Sequence, residues 1–212
     1  MDLYQIMLFY KDAFDPRYFL FLSFILIVFY DWKNQSQEIK YFFERIAVIS
    51  IIYIAALIIV ELVMIKIVGQ SSSYPQYLVD YSNLAGLMLG LALSIALWKR
   101  FKFGTEFLDA AFGLLAVSLP FAVISYFWNI SGHVTYTAAP VTYLVLLDRR
   151  LLFLYAIPIV MVFNRPYVGA HTPLQAISGF ILGTVLMFYS IKKIRERRVN
   201  EEKKVNHERE YC

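Results

Sequence analysis

Seven runs of apolar residues, separated by short polar stretches, make up most of this 212-residue chain. They lie at residues 17–32, 46–68, 79–98, 107–128, 133–147, 151–164 and 173–191. A helix needs about 20 apolar residues to cross a bilayer, so the short runs at 17–32, 133–147 and 151–164 must extend further or lie tilted. The pattern predicts an all-α fold, a polytopic membrane helix bundle with six or seven spans.

The composition supports the same class. Apolar residues account for 59% of the chain and charged residues for 17%, which excludes an ordinary soluble domain, and the runs are too many for a signal peptide plus one anchor. The connecting segments are too short to hold a further domain, so we expect one transmembrane domain over residues 1–198. Residues 199–212 are charged and poor in apolar groups, which predicts a cytoplasmic tail that is either disordered or a frayed helix.

Lysine and arginine are distributed unevenly between the two ends of the apolar runs. If the C-terminus is cytoplasmic, sixteen of the 20 basic residues fall in cytoplasmic segments, at 33–45, 99–102, 148–150 and 192–212. Cytoplasmic segments of membrane proteins carry this excess. We therefore expect a cell-membrane protein with a cytoplasmic C-terminus and with segments 129–133 and 164–172 on the extracytoplasmic side.

The most basic stretch, residues 192–198, follows directly after the last apolar run. A basic cluster next to a membrane helix is typically a topology anchor that faces anionic lipid headgroups. We therefore predict an anionic membrane surface as its partner and no nucleic acid.

Two of the three histidines interrupt this apolar sequence at the start of apolar runs. Ser131 is a good helix N-cap, Gly132 allows close approach to the backbone, and His133 falls in the first helical turn. The free N–H groups and the dipole of a helix N-terminus favour an anion. This segment predicts an anion site.

The second histidine has a similar setting. Thr172 can cap the next helix and Pro173 suits its first position, while His171 and Gln175 are four residues apart and so can meet on one turn. Arg165 offers a planar fork for phosphate oxygens. Both histidines and this arginine are expected on the same membrane face, which favours phosphorus chemistry.

Ser131-Gly132-His133 and the Arg165-x5-His171 spacing, with Gly179 after them, resemble the second and third motifs of the type 2 phosphatidic-acid phosphatase superfamily. That superfamily includes lipid phosphate phosphatases, undecaprenyl and dolichyl diphosphate phosphatases, and glucose-6-phosphatase. The resemblance implies a six-helix phosphatase core, to which this chain adds one N-terminal span.

Two positions depart from the family pattern. Gln175 stands where the family usually has an aspartate that orients the nucleophilic histidine, although glucose-6-phosphatase and dolichyl diphosphate phosphatases also resemble this chain in having Gln there. The first motif, K-x6-R-P, is absent, because no Lys or Arg occurs between Lys102 and Arg149. Among extracytoplasmic lysines, Lys66 is the better candidate to replace it. Glu61, inside a predicted span, is expected to line the pocket or pair with a basic group.

The resemblance implies metal-independent phosphoryl transfer without a cofactor. His171 would attack phosphorus, His133 would protonate the leaving oxygen, and Gln175 would fix the tautomer of His171. Arg165, Ser131 and the backbone of Gly132 would bind the phosphate oxygens. The residues by themselves do not determine which imidazole attacks.

A membrane lipid is the expected substrate, with a polyprenyl or dolichyl diphosphate first and phosphatidic acid or a related lipid phosphate second. Two alternatives stay open: a lipid phosphotransferase of the same superfamily, and a catalytically degenerate membrane protein that keeps the fold.

Overall fold

The computed structural model describes residues 2–68 and 76–210. Within these ranges the chain forms α1 (Leu3–Ala13), α2 (Pro16–Asn34), α3 (Ile39–Val68), α4 (Gln76–Phe101), α5 (Glu106–Phe127), α6 (Gly132–Leu147), a 3₁₀ helix (Arg149–Tyr155), α7 (Ala156–Tyr167) and α8 (Pro173–Glu210). No strand occurs among the described residues, and every apolar run coincides with helix, so the all-α prediction is confirmed.

Several of these helices can cross a bilayer. In the described ranges, four segments are long and apolar enough, namely Ile39–Met64, Tyr81–Phe101, Glu106–Phe127 and Pro173–Lys204, and α1 with α2 would make a fifth. The 16 residues of α6 rise only about 24 Å at 1.5 Å per residue, less than the usual 30 Å hydrocarbon core. A membrane protein with four or five such helices is therefore the supported description.

The N-terminal region contains a helix that the sequence pattern did not predict. Asp15 caps α2 and Pro16 occupies its first position, so the chain breaks there and α1 meets α2 at 52°. Asp and Pro both favour a helix start and oppose continuation of a preceding helix. We call residues 3–17 the N-terminal elbow.

The C-terminal segment continues as helix. The predicted tail begins at residue 199, yet α8 extends through Glu210, and only residues 211 and 212 of that tail lie outside the described residues. Arg195 donates to Glu106 at 3.3 Å, and Arg198 pairs with the buried carboxylate of Asp109. The start of the basic segment thus packs against α5.

These contacts belong to one end of the bundle, which we call the arginine end after Arg45, Arg195 and Arg198. Its polar groups are connected across α2, α3 and α5. The side-chain amide of Gln35 donates to Asp31 at 3.1 Å, and its oxygen accepts from the buried guanidinium of Arg45 at 2.8 Å. Gln35 also donates to the carbonyl of Phe103 at 3.0 Å, which places the Lys99–Lys102 segment at this end.

A capping aspartate on the 3₁₀ helix completes the arginine end. Asp148 accepts from the backbone N–H of Arg150 at 3.0 Å and from its guanidinium at 2.7 Å, and Tyr30 donates to it at 2.9 Å. The Arg150 guanidinium holds the pKa of Asp148 well below its usual range. This carboxylate serves as a helix cap and joins α2 to the 3₁₀ helix.

Candidate functional site

The sequence-predicted site residues lie at the other end of the bundle. His133 is the second residue of α6, His171 directly precedes the N-cap of α8, and Arg165 lies in the last turn of α7. Arg165 and His171 are both close enough to His133 to act on its charge. We call this the histidine end, and it unites two segments that are 38 residues apart in sequence.

A small hydrophobic cluster beneath these residues holds their helices in register. Val134, Met161 and Ala176 are fully buried against one another, and Tyr10 and Phe14 of α1 pack on them. Two of the three buried residues are direct sequence neighbours of a candidate site residue, and Met161 is one helical turn before Arg165. Burial of this cluster therefore fixes the positions of α1, α6, α7 and α8 together.

Close packing of α6 on α8 depends on small residues. A Cβ atom on Gly179 would lie 2.7 Å from the carbonyl oxygen of Ser131, and one on Gly183 would lie 2.5 Å from that of Thr135. Glycines spaced by four residues let helix backbones approach closely in a membrane. The backbone N–H of Ser131 also donates to the carbonyl of Gln175 at 3.3 Å. Gly179 is thus required for packing that brings the two motifs together.

His171 is oriented by the main chain. Gly169 adopts φ 73°, a left-handed conformation that glycine accepts at little cost, and the chain turns there toward α8. The Nδ1 atom of His171 then lies 3.1 Å from the carbonyl oxygen of Asn129. A carbonyl can only accept, so Nδ1 carries the hydrogen and Nε2 of the neutral ring keeps its lone pair.

Gln175 has a different local role from the one expected. Its side-chain oxygen accepts the backbone N–H of Thr172 at 2.9 Å, and the hydroxyl of Thr172 accepts the N–H of Gln175 at 3.3 Å. This reciprocal pair is a capping box at the start of α8. The acceptor that the structure places at Nδ1 of His171 is the Asn129 carbonyl, with Gln175 forming the cap beside it.

Arg165 is buried, with 7% of its surface exposed. Its Nε and Nη1 atoms are inaccessible to solvent, so the fork lies inside the bundle and not among lipid headgroups. A buried guanidinium beside His133 makes the histidine end suitable for an anion.

Ser131 occupies the N-cap position of α6, but its hydroxyl does not cap the helix. The Oγ atom makes no cap hydrogen bond and is buried without a partner among the described residues. A buried hydroxyl without a hydrogen-bond partner destabilises the fold by about 1–3 kcal/mol unless a ligand or a water molecule forms that hydrogen bond. Gly132 faces the ring of Phe121, where a Cβ would lie at 3.3 Å, so a larger residue there would have to displace that ring slightly.

The structure adds a carboxylate that the sequence reasoning missed. Asp15, at the N-cap of α2, places Oδ2 3.9 Å from Nε2 of His133. The separation is too long for a hydrogen bond but within ion-pair range. The Asp15-Pro16 step is a recognisable helix start at the edge of the first apolar run, so its position at this end was detectable, whereas its contact with α6 was not.

The N-terminal elbow contributes a lysine that acts on His133. Lys11 acts electrostatically on His133, and α1 is anchored to α7 by two hydrogen bonds: Tyr10 donates to the carbonyl of Ile157 at 2.8 Å, and Asn164 to that of Met7 at 2.6 Å. Lys66, the candidate favoured from sequence, is exposed near the end of α3. Lys11 is paired with Asp12 at 3.0 Å, and of these two lysines it is the one that acts on His133.

Glu61 lies beside the site and not in it. It lines a cavity of about 310 Å³ between α2, α3 and α4, together with Arg17, Tyr53 and Asn83. Arg17 also binds Asp15, which in turn lies 3.9 Å from His133, so the Asp15–Arg17 pair links this cavity to the histidine end.

Within the described part of the chain, no group of three or more His, Cys, Asp or Glu side chains is arranged to hold a metal ion. Comparisons of the chain with profiles of protein families, with curated proteins and with solved structures found no match.

Proposed function

We propose that this chain is an integral-membrane phosphatase that removes phosphate from a lipid phosphate or diphosphate through a phosphohistidine. The observation that carries the proposal is the convergence of His133, His171 and the buried Arg165 at one end of a membrane helix bundle. Two imidazoles and a guanidinium supply a nucleophile, a proton carrier and an anion-binding fork.

The contact of His171 with a backbone carbonyl supports its role as the nucleophile. Because Nδ1 donates to the Asn129 carbonyl, the lone pair of Nε2 is available to attack phosphorus. The P–O bond of the substrate breaks as the N–P bond forms, and protonated His133 gives its proton to the leaving oxygen. Water then attacks phosphorus, the N–P bond breaks, and His133 takes up the proton of that water.

Arg165 and the N-terminus of α6 stabilise the phosphoryl oxygens in this scheme. The buried hydroxyl of Ser131 and the backbone N–H groups that begin α6 are donors for the charge that develops. Lys11 of the N-terminal elbow adds a second lasting positive charge, in the role of the lysine that the first motif of the resembled family would provide.

A lipid is the natural substrate for a site at the end of membrane-spanning helices. A polyprenyl diphosphate of the dolichyl type is the first choice and phosphatidic acid the second, since both carry phosphate at headgroup depth. The distribution of lysine and arginine supports an extracytoplasmic histidine end and a cytoplasmic C-terminus in the cell membrane. The basic start of the C-terminal segment then faces anionic headgroups.

Purified protein in lipid nanodiscs, with chelator present, tests this proposal through release of inorganic phosphate from polyprenyl diphosphate and from phosphatidic acid. We expect turnover by the wild type, loss of at least about 10³-fold in H171A, and an acid-labile phosphoprotein that H171A does not form. H207A, which removes the third histidine far along α8, is the matched control and should keep wild-type activity.

Equal inertness of the wild type and H171A across these lipids would overturn the enzyme proposal in favour of a degenerate membrane protein. Product analysis with and without an added lipid alcohol separates the remaining alternative, because a phosphotransferase would form a new lipid phosphate in place of inorganic phosphate.

A further inference from the structure

Asp15 is held in one orientation by its neighbours. Its carboxylate accepts the backbone N–H of Arg17 at 2.9 Å, and the guanidinium of Arg17 at 2.8 Å from Nε and 3.1 Å from Nη2. Only 16% of the Asp15 side chain is exposed. Three donors and this degree of burial fix the carboxylate on the face of the N-terminal elbow that meets α6.

Asp15 is the one anion among the charged groups that act most strongly on His133. The others are Arg165 from α7, His171 from the segment before α8, and Lys11 from α1. Burial of the imidazole is the largest influence and disfavours a proton on His133, and each of these three groups, a cation or a group that becomes one, does the same. The Asp15 carboxylate at 3.9 Å opposes them and stabilises the imidazolium. Catalytic contacts that are long in an empty site commonly shorten when substrate binds.

The two histidines therefore face different groups. His171 faces an uncharged carbonyl, which fixes its tautomer. His133 faces a carboxylate, which favours a protonated ring. A nucleophile needs the first environment and a proton donor needs the second.

We propose that Asp15 is the positioning residue of His133, holding the imidazolium that donates the proton to the leaving oxygen. The proton-transfer role in this assignment rests on the proposed function, whereas the interaction of the Asp15 carboxylate with the His133 imidazolium does not. The proton moves from His133 to the leaving oxygen as the P–O bond breaks, and a proton from the attacking water restores the Asp15–imidazolium pair when the N–P bond breaks.

D15N is the informative variant, because Asn is as good an N-cap as Asp and so removes the charge while keeping the helix start. D148N is a matched control at the arginine end. Asp148 has the same local geometry, accepting from the backbone and guanidinium of the arginine two residues later, but it faces Tyr30 and no histidine.

The first measurement is the rate of phosphoprotein formation from an alkyl phosphate, whose leaving oxygen needs a proton, and from 4-nitrophenyl phosphate, whose leaving group does not. We expect D15N to slow the alkyl reaction by about 10- to 100-fold and the aryl reaction by less than about 3-fold, as general-acid catalysis requires. H133Q should give the same pattern more strongly, and D148N should resemble the wild type. Equal slowing of both substrates by D15N, or no difference from D148N, overturns the proposal.

The second measurement does not depend on turnover. The chain has three histidines, so ¹⁵N-histidine labelling gives a simple NMR spectrum in which H133Q identifies the His133 ring. With inorganic phosphate present, D15N should move the His133 nitrogens toward the neutral pattern and D148N should leave them unchanged. Unchanged His133 signals in D15N overturn the Asp15 assignment, whereas inert wild-type protein with the expected NMR change overturns only the phosphatase proposal.

Discussion

The two ends of the bundle contain the same local motif in different surroundings. Asp15-Pro16-Arg17 and Asp148-Arg149-Arg150 each place an aspartate at a helix N-cap, where it binds the backbone and the guanidinium two residues later. Asp148 is completed by the hydroxyl of Tyr30, whereas Asp15 faces His133. The local motif is the same at both aspartates. The residue that tertiary packing places opposite each carboxylate decides whether it is a structural cap or part of a candidate site.

The contrast extends to the buried charges. At the arginine end, Asp109 is paired with Arg198 and Glu106 with Arg195, so each carboxylate has a cation from α8. At the histidine end, Arg165 is buried and acts on His133, and the buried hydroxyl of Ser131 has no partner among the described residues. The first arrangement stabilises the fold, and the second suits a ligand with negative charge.

The largest expected effect that tests this contrast is R165M against R45M. Each variant removes one buried arginine from one end of the bundle. We expect R165M to lower phosphate release by about 10²- to 10³-fold, because it removes transition-state charge stabilisation, and R45M to change it by less than about 3-fold. Phosphate release per folded molecule, with thermal unfolding measured alongside, checks this. Equal loss of activity in both would remove the distinction between the ends.

R198M should change a different property: it should lower the stability of the fold and leave the activity unchanged. It leaves the carboxylate of Asp109, whose side chain is 1% exposed, without its cation. Breaking a buried pair from one side costs about 3–5 kcal/mol, and we expect the lower part of that range because Arg198 is itself partly exposed. Unfolding in mixed micelles by a denaturing detergent measures the change.

D109N combined with R198M should recover most of that lost stability, since no buried charge is left unpaired. If the double variant is as unstable as R198M alone, the ion pair is not the source of the effect.

The smallest of the three effects is K11M against K66M. Lys11 acts on His133 and Lys66 is exposed at the end of α3, so K11M should raise the KM for a lipid phosphate by about 3- to 10-fold and K66M should not. Steady-state kinetics at low salt give the comparison. A larger rise in KM for K66M than for K11M would support Lys66, the lysine predicted from the sequence, as the additional cation.

The helices were largely predictable, because apolar runs of membrane length have few alternatives to helix. All seven runs form helix, and Ser131 and Thr172 stand at the N-cap positions that their residue types predict, although only Thr172 caps with its side chain. The break at Asp15-Pro16 and the short helix α1 were not predicted, since the apolar character of residues 3–9 was not assigned to an element. Residues 199–210 are helical, which is one of the two alternatives predicted for the tail, because charge indicates solvent exposure and does not exclude helix.

The sequence by itself determined the helical membrane class, the two histidine segments and the arginine between them, because periodicity, capping and spacing are local properties. Tertiary structure decided what surrounds each imidazole. A backbone carbonyl from Asn129 reaches His171, Asp15 and Lys11 reach His133 from a distant part of the chain, and Gln175 forms a cap instead. These contacts depend on how α1, α6, α7 and α8 pack around Val134, Met161 and Ala176, and no local pattern encodes that packing.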